Sequence, residues 1–224
     1  MKIDILYEDN HLLCVEKPVN VPVQEDESKD IDLLTALKEF IKVRDEKPGK
    51  VFLALVHRLD RPVGGAMVFA KTSKAASRLA TALQKGQFER SYLTVVHGKP
   101  QKMTGQLENY LYKEFKTNTS TVVSQDTKGS KRARLTYQVL ESSEGLSLIR
   151  VKLDTGRSHQ IRVQFSHLGH PIWGDQRYGQ EVNKVGQQIA LWSYKIEITH
   201  PTTKEPMEFI CEPPNEHPWN LFNF

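Results

Sequence analysis

The stretch His57-Arg58-Leu59-Asp60-Arg61-Pro62-Val63-Gly64-Gly65 decides how the surrounding chain is expected to fold. It lies between two apolar runs, Val51–Val56 and Ala66–Ala70, which predict flanking strands, and its Pro and Gly residues are typical of a turn. Strands on both sides would hold the turn rigid and leave Asp60 exposed at its tip. Because a guanidinium group lies on each side of this carboxylate in the chain, we expect it to stay ionised.

An ionised carboxylate on a rigid turn suits a nucleophile or a base, and it does not suit a proton donor at neutral pH. The alternative interpretation is an ordinary ion pair on the surface, which contributes little to stability. This stretch alone leaves both interpretations open.

The composition limits the class of protein. With 224 residues the chain can bury a core without a disulfide or a metal. No run approaches the ~18 apolar residues of a membrane span, and the acidic start Met1–Asp4 does not resemble a targeting segment. Cys14 and Cys211 lie far apart among apolar residues, which predicts reduced core thiols in a cytoplasmic protein. No glycine-rich phosphate loop follows a strand, so we expect no nucleotide cofactor, and we expect no metal.

Positive charge is concentrated in one segment. The net charge of +4, from 31 basic and 27 acidic residues, is too small to imply nucleic acid by itself. Residues 113–134, however, contain six cations and only two acidic residues, and such a cluster can neutralise several phosphates. The six are Lys113, Lys116, Lys128, Lys131, Arg132 and Arg134. The alternative is a solvated loop or an edge strand protected by lysines.

The apolar periodicity predicts a mixture of strands and helices without a regular βαβ order. This favours an α+β fold with a largely antiparallel sheet, in a single domain over residues 1–224. Helices are predicted after a cap at Asp30 or Asp32, after a cap at Ser73, and after a cap at Ser158. Strands are predicted at Ile3–Tyr7, Leu12–Val15, Tyr92–His97, Leu135–Leu140, Leu146–Leu153, Ile189–Trp192 and Lys195–Thr199, and Thr117–Gln125 is predicted as an exposed ribbon. In the tail 213–224, Trp219, Leu221, Phe222 and Phe224 are expected to pack back on the body.

A second basic cluster occurs in the segment Leu153–Arg162, which indicates a strand, a glycine turn and the start of a helix. Free backbone N–H groups at a helix start attract anions, and Arg157 and Arg162 add positive charge there. Arg162 follows the apolar Ile161, so we expect it to be partly buried and to need a carboxylate partner. Asp60 is the candidate partner.

Several motifs together resemble one family, the RluA-like RNA pseudouridine synthases. The motifs are HRLDRPVGGAMVFAKTSKAA (57–76), FERSYLTVVHGKP (88–100) and LDTGRSHQIRVQFSHLGHPIWGDQRYG (153–179), supported by YEDNHLLCVEKPVNVPV (7–23) and KRARLTYQVLE (131–141). The resemblance runs from about Ile5 to Pro213. It implies a pseudouridine-synthase-like fold with a mixed sheet flanked by helices, and isomerisation of uridines in ribosomal or transfer RNA by a monomer without a cofactor.

The resemblance also implies roles for individual residues. Asp60 matches the catalytic aspartate, Tyr92 the active-site tyrosine, and Arg162 the arginine that pairs with the aspartate. Arg58 matches the arginine that fills the gap left by a flipped base. Ile161 and Val163 are candidate pocket walls. The further candidate contacts to RNA are Arg61, Arg157, Gln160, Ile161, Lys131, Arg132 and Arg134.

The chain departs from the family pattern in two places. Val63-Gly64-Gly65 stands where the family often has Thr-Ser-Gly, which removes hydroxyls from the catalytic turn, and Gln164 stands where His is frequent. The small basic domain that precedes many relatives is not seen. We therefore expect target recognition to come from the catalytic domain, with a contribution from the basic segment 113–134, here called the basic ribbon. A catalytically inactive RNA-binding protein is the main alternative. A metal-dependent hydrolase is disfavoured, because the histidines show no metal-binding spacing.

Overall fold

A computed structural model describes residues 3–223. The chain forms two compact units. The first unit contains the residues up to Arg90 together with Ser193–Glu212, and the second contains Ser91–Trp192 together with the residues from Pro213 on. The prediction of a single domain over residues 1–224 stays a prediction.

Three α-helices and eleven strands make up the regular structure of residues 3–223. In chain order they are β1 (Asp4–Glu8), β2 (Leu12–Lys17), α1 (Leu33–Arg44), β3 (Ala54–Leu55), β4 (Gly64–Ala70), α2 (Ser73–Gln84), β5 (Phe88–His97), β6 (Thr104–Glu114), β7 (Thr119–Val123), β8 (Lys131–Ser143), β9 (Leu146–Leu153), α3 (Gln160–His167), β10 (Leu191–Thr199) and β11 (Pro206–Ile210).

The first unit is built on the hairpin β1–β2. Strand β2 pairs antiparallel with β4, which also pairs with the short β3, and β10 forms an antiparallel pair with β11. Helix α1 begins where Asp32 accepts a hydrogen bond from the Thr35 N–H, and Leu33, Leu37 and Ile41 form its buried face. The predictions of β1, β2 and α1 are therefore confirmed.

The second unit is an antiparallel sheet in the order β5–β9–β8–β6–β7, with α3 close to β7. The predicted α+β class and the largely antiparallel pairing are therefore confirmed. The exposed ribbon of the prediction is β7 and the loop that follows it, and its partner β6 was not predicted. In the tail, Trp219 and Phe222 are buried, whereas Phe224 lies outside the described residues.

Two predicted caps were wrong. Thr72, not Ser73, caps α2, because the Thr72 backbone is extended and its Oγ1 accepts from the Ala75 N–H at 3.2 Å. Helix α3 begins after His159, whose left-handed backbone makes no side-chain cap, and the Ser158 carbonyl instead accepts from Ser120 Oγ at 2.8 Å.

Two predicted strand boundaries also differ. Of the apolar run Val51–Val56 only Ala54–Leu55 forms a strand, so the polypeptide that enters the turn is mostly irregular. The two segments Ile189–Trp192 and Lys195–Thr199 merge into the single strand β10. Both cysteines are free and buried, as predicted. Among residues 3–223, no helix has both the length and the hydropathy needed to cross a bilayer.

The start of β4 depends on a close backbone approach at Gly65. This residue has φ +111°, and a Cβ atom there would lie 2.4 Å from the Ser193 carbonyl oxygen and 2.7 Å from the Ser193 nitrogen. The Ser193 hydroxyl in turn donates to the Ala66 carbonyl at 2.8 Å. Only glycine allows this packing, which fixes the C-terminal end of the turn that carries Asp60.

Replacing Gly65 with Ala should therefore be strongly destabilising. We expect Gly65→Ala to lower the free energy of unfolding by more than about 2 kcal/mol, because both the backbone conformation and the contact with Ser193 forbid a side chain. Gly49→Ala is the matched control, since nothing lies within 4 Å of its added Cβ. Urea unfolding of both variants measures the difference, and equal effects would contradict the role given to Gly65.

Candidate active site

The turn His57–Gly65 alternates between buried and accessible side chains. His57 and Leu59 are buried, Arg58 is exposed, and Asp60 is half-buried. The Val63 N–H donates to the Asp60 carbonyl at 3.0 Å, which closes the turn. Arg58 is thus an accessible side chain of the turn, whereas Asp60, which was predicted to be exposed at its tip, is half-buried.

Lys17, the last residue of β2, anchors the turn through hydrogen bonds from its side chain. This lysine is fully buried, and its Nζ donates to the carbonyl oxygens of Pro18 at 2.8 Å, Arg61 at 2.9 Å and Val63 at 2.7 Å. Three acceptors use all three protons of an ammonium group. Burial lowers the pKa of Lys17 to about 7, and the negative charge of Asp60 opposes this effect.

This anchor bears on the missing hydroxyls at Val63 and Gly64. The turn receives its hydrogen bonds from the Lys17 ammonium and from its own backbone, so its geometry does not depend on Thr or Ser side chains. The departure from the family pattern therefore leaves a hydrogen-bonded turn.

Arg61 points toward the acidic loop that precedes α1. Its Nη1 donates to Ser28 Oγ at 2.9 Å and lies 3.7 Å from Asp26, and its Nη2 pairs with Asp30. All these side chains are exposed. Exposed ion pairs contribute only about 0–1 kcal/mol, so they do not prevent Arg61 from meeting an RNA phosphate, which stays a prediction.

In the second unit Arg162 is buried on α3 and is held by Asp175. Its Nε donates to Asp175 Oδ2 and its Nη2 to Asp175 Oδ1, both at 2.8 Å. Oδ1 also accepts from the N–H groups of Arg177 and Tyr178, at 2.9 and 3.2 Å. Burial raises the pKa of Asp175, but the hydrogen bonds and charge of Arg162 outweigh this and lower it below its usual value.

Asp175 is thus a carboxylate partner of Arg162 that the sequence analysis did not name. The predicted pairing with Asp60 joins residues of different units and stays a prediction. Sequence reasoning missed Asp175, although it lies within the motif WGDQRYG, because nothing in its spacing indicates which cation it meets.

Tyr178 connects α3 with β7. Its ring lies 5.3 Å from the Arg162 guanidinium carbon, and its hydroxyl accepts from the Ser120 N–H at 2.8 Å. The same hydroxyl lies 2.7 Å from His159 Nδ1. These contacts hold His159 in its left-handed conformation at the start of α3, where a side-chain cap was expected.

The remaining candidate site residues of the second unit include four that are buried. Tyr92 is buried on β5 opposite Val151, and Ile161 and Val163 are buried on α3. Gln160 is buried and bonded to the protein, since its Oε1 accepts from the Arg157 N–H and its Nε2 donates to the Arg134 carbonyl.

The basic ribbon is exposed, but its arginines are paired. Arg132 binds Glu108 through two hydrogen bonds of 2.9 and 2.8 Å, Arg134 lies 2.6 Å from Asp154, and Arg157 Nε donates to the Arg132 carbonyl. Lys131 is exposed at the start of β8. Their predicted contact with RNA stays a prediction. Within residues 3–223, no group of three or more His, Cys, Asp or Glu side chains is arranged to hold a metal ion.

The structure defines an α+β protein with a carboxylate on a hydrogen-bonded turn, and comparison with known proteins identifies its family. The sequence model of the RNA pseudouridylate synthase family matches residues 11–167, more than half of the chain. The chain therefore belongs to this family, which confirms the predicted class of RNA pseudouridine synthases.

Individual relatives agree with this assignment. The chain is 34% identical over 206 residues to the uncharacterized RNA pseudouridine synthase YhcT of Bacillus subtilis (strain 168), covering 91% of the chain and 66% of the relative. It is 34% identical over 209 residues to the ribosomal large subunit pseudouridine synthase D of Nitrosomonas europaea, covering 89% of the chain and 58% of the relative. The chain thus spans roughly three fifths to two thirds of the length of these relatives.

A solved structure confirms the predicted fold. The human RNA Pseudouridylate Synthase Domain Containing 4 superposes with a TM-score of 0.79 at 21% identity, over 94% of this chain and 88% of that one.

Lys17 should make stability depend on pH. Its native pKa of about 7 lies below the ~10.4 of an exposed lysine, so between these values the folded protein binds fewer protons than the unfolded one. As the pH increases from about 7 to about 10, the free energy of unfolding of the wild type should therefore rise relative to that of Lys17→Met. The rise should be up to about 1.4 kcal/mol per pH unit. Urea unfolding from pH 6 to pH 10 measures this, and a constant difference would contradict it.

Asp175→Ala should be strongly destabilising, because it leaves the Arg162 guanidinium buried without its carboxylate. Removing one partner of a buried ion pair costs about 3–5 kcal/mol. Glu108→Ala, which removes the exposed partner of Arg132, should cost at most about 1 kcal/mol. Thermal and urea unfolding of both variants provide the comparison, and similar losses would argue against a supporting role for Asp175.

Proposed function

We propose that this protein converts specific uridines in a structured RNA to pseudouridine. Ribosomal RNA is the favoured substrate, since the relative from Nitrosomonas europaea is named for the large ribosomal subunit, and transfer RNA is the other candidate. The observation that carries the proposal is the half-buried Asp60 on a turn anchored by Lys17, inside the segment that the family model matches.

The reaction exchanges one glycosidic bond for another. The bond between ribose and uracil N1 breaks, the same ribose carbon bonds to C5, and the proton on C5 is replaced by one on N1, so the product is an isomer of the substrate. The reaction therefore needs no oxidant, reductant or group donor. A base within a stack must first be flipped out, which costs a few kcal/mol.

The residues have separate proposed roles. Asp60 attacks a ribose carbon or removes a ribose proton, and the two routes remain alternatives. Tyr92 stacks on the uracil and helps to move the C5 proton. Arg162 keeps the catalytic carboxylate ionised, and the exposed Arg58 fills the gap that the flipped base leaves. Ile161 and Val163 are proposed as apolar walls that retain the detached uracil.

RNA contacts outside the reacting nucleotide are proposed for the accessible cations. Lys131, Arg132, Arg134, Arg157 and Arg61 are the candidates, and each phosphate that they neutralise steepens the salt dependence of binding. Gln160 is proposed to contribute indirectly, because its side chain is hydrogen-bonded to the backbone of Arg157 and Arg134, two of these cations. The cytoplasmic location and the monomeric state stay predictions.

The alternative is a catalytically inactive protein that binds RNA with the same fold. Its support is the missing hydroxyls at Val63 and Gly64. The hydrogen bonds of Lys17 to Arg61 and Val63 weigh against it, because the turn that carries Asp60 remains fixed without those hydroxyls.

Asp60→Asn separates the two functions. We expect it to lower the rate of pseudouridine formation by at least about 10²–10⁴-fold, because Asn is neither a base nor a nucleophile, while RNA affinity stays within a few-fold. Asp45→Asn, at the exposed end of α1, is the matched control and should keep full activity. Mapping pseudouridines transcriptome-wide in cells with the wild type, each variant or no protein is the measurement.

Two results would oppose the proposal. Unchanged pseudouridine formation in Asp60→Asn would remove the catalytic role of this carboxylate. A wild type that binds RNA but forms no pseudouridine in any cellular RNA would establish the inactive alternative.

A further inference from the structure

Arg90 is a buried cation of the first unit without an anionic partner. It lies on β5 with 8% of its surface accessible, and its Nε is enclosed without a hydrogen bond to any of residues 3–223. No carboxylate in that part of the chain pairs with its guanidinium. Arginine is almost never buried without a partner, because removing an unpaired charge from water is costly.

His57 is a second unsatisfied donor in the same place. Its Nε2 accepts from the Val68 N–H at 3.1 Å, so the proton of the neutral ring lies on Nδ1. Nδ1 is buried, and among the described residues it has no acceptor. Burial, and secondarily the charge of Arg90, lower the pKa of His57 to about 3, so the ring stays neutral and keeps this single N–H at physiological pH.

Strand geometry brings the two donors together. Phe88 and Arg90 are alternate residues of β5 and share one face of it. The His57 ring packs against Phe88 with 5.3 Å between the ring centroids. His57 also begins the turn of Asp60, and the three Cα-to-Cα steps between these positions limit their separation to about 11 Å.

We propose that Arg90, with the Nδ1–H of His57 as a neighbouring donor, forms a recessed subsite for a phosphate group of the RNA backbone next to the target nucleotide. An ion with oxygen acceptors supplies what both donors lack, and a guanidinium group matches a phosphate in shape as well as charge. The assignment rests on the proposed function, because it takes RNA as the source of the phosphate.

The subsite differs in kind from the basic ribbon. The ribbon arginines Arg132 and Arg134 already pair with Glu108 and Asp154, so an RNA phosphate must compete with those carboxylates. At Arg90 no carboxylate of the described residues has to be displaced.

Binding of a labelled oligouridylate at several salt concentrations tests the subsite. Arg90→Met should weaken binding about 10- to 100-fold at low salt, as expected for loss of a hydrogen bond between charged groups. It should also reduce the slope of log K against log salt by about 0.7, the value for one phosphate contact on a single strand. Arg90→Lys should recover part of both. Lys74→Met, which removes an exposed charge on α2, is the control and should leave the slope unchanged.

Stability distinguishes a binding role from a structural one. Arg90→Met removes an unpaired buried charge, so its melting temperature should equal or exceed that of the wild type. Inorganic phosphate, compared with chloride at equal ionic strength, should raise the melting temperature of the wild type more than that of Arg90→Met.

Three outcomes would overturn the subsite. The first is an unchanged salt slope of RNA binding in Arg90→Met, and the second is a lower melting temperature of this variant with normal binding by its folded fraction. The third is stabilisation by phosphate without any change in the salt slope of RNA binding, which would assign the site to free phosphate. None of these measurements uses the isomerisation rate. A protein that forms no pseudouridine can still show the slope change, and an active one can lack it, so the two proposals fail separately.

Discussion

An ammonium group enclosed beneath the turn His57–Gly65 has to find three hydrogen-bond acceptors within the protein. Lys17 finds them in the carbonyl of the neighbouring Pro18 and in the carbonyls of Arg61 and Val63, which belong to the turn. A buried lysine is unfavourable unless each proton is used, so every rearrangement of the turn that loses one of these carbonyls is opposed. This constraint, together with the contact between Gly65 and Ser193, determines where the Asp60 carboxylate is presented.

In the second unit the buried charged group with satisfied hydrogen bonds is an anion. Asp175 is fully enclosed, and its oxygens accept from Arg162 and from the backbone of the segment that carries it. Because both edges of this pair are hydrogen-bonded, the guanidinium has one favourable orientation and not several. Tyr178 covers the pair and extends it to Ser120, which fixes the start of α3 relative to β7. In both units, buried charge stabilises one local geometry at the cost of removing that charge from water.

These long-range contacts explain which features the sequence could predict. Helix α1 and strands β1 and β2 follow from local periodicity and a local cap, and the candidate residues follow from motifs that are contiguous in the chain. The start of α3 could not be predicted, because the conformation of His159 depends on Tyr178, nineteen residues later. The contact of Arg162 with Asp175 could not be predicted either, since any of several acidic residues satisfies the requirement for a carboxylate. Strand β6 was missed because its exposed polar residues weaken the apolar alternation.

The unsatisfied groups are as informative as the satisfied ones. Within residues 3–223, the enclosed side-chain atoms without a partner belong to His57, Arg90 and Gln164. A missing bond to the neutral Gln164 oxygen costs about 1–3 kcal/mol, which a stable domain tolerates. An uncompensated guanidinium costs more, and a methionine of similar length would remove that cost without leaving a cavity. A fold that satisfies Lys17 and Asp175 so completely can satisfy an arginine too. The unpaired state of Arg90 beside the turn of Asp60 is therefore the observation that supports the proposed phosphate subsite.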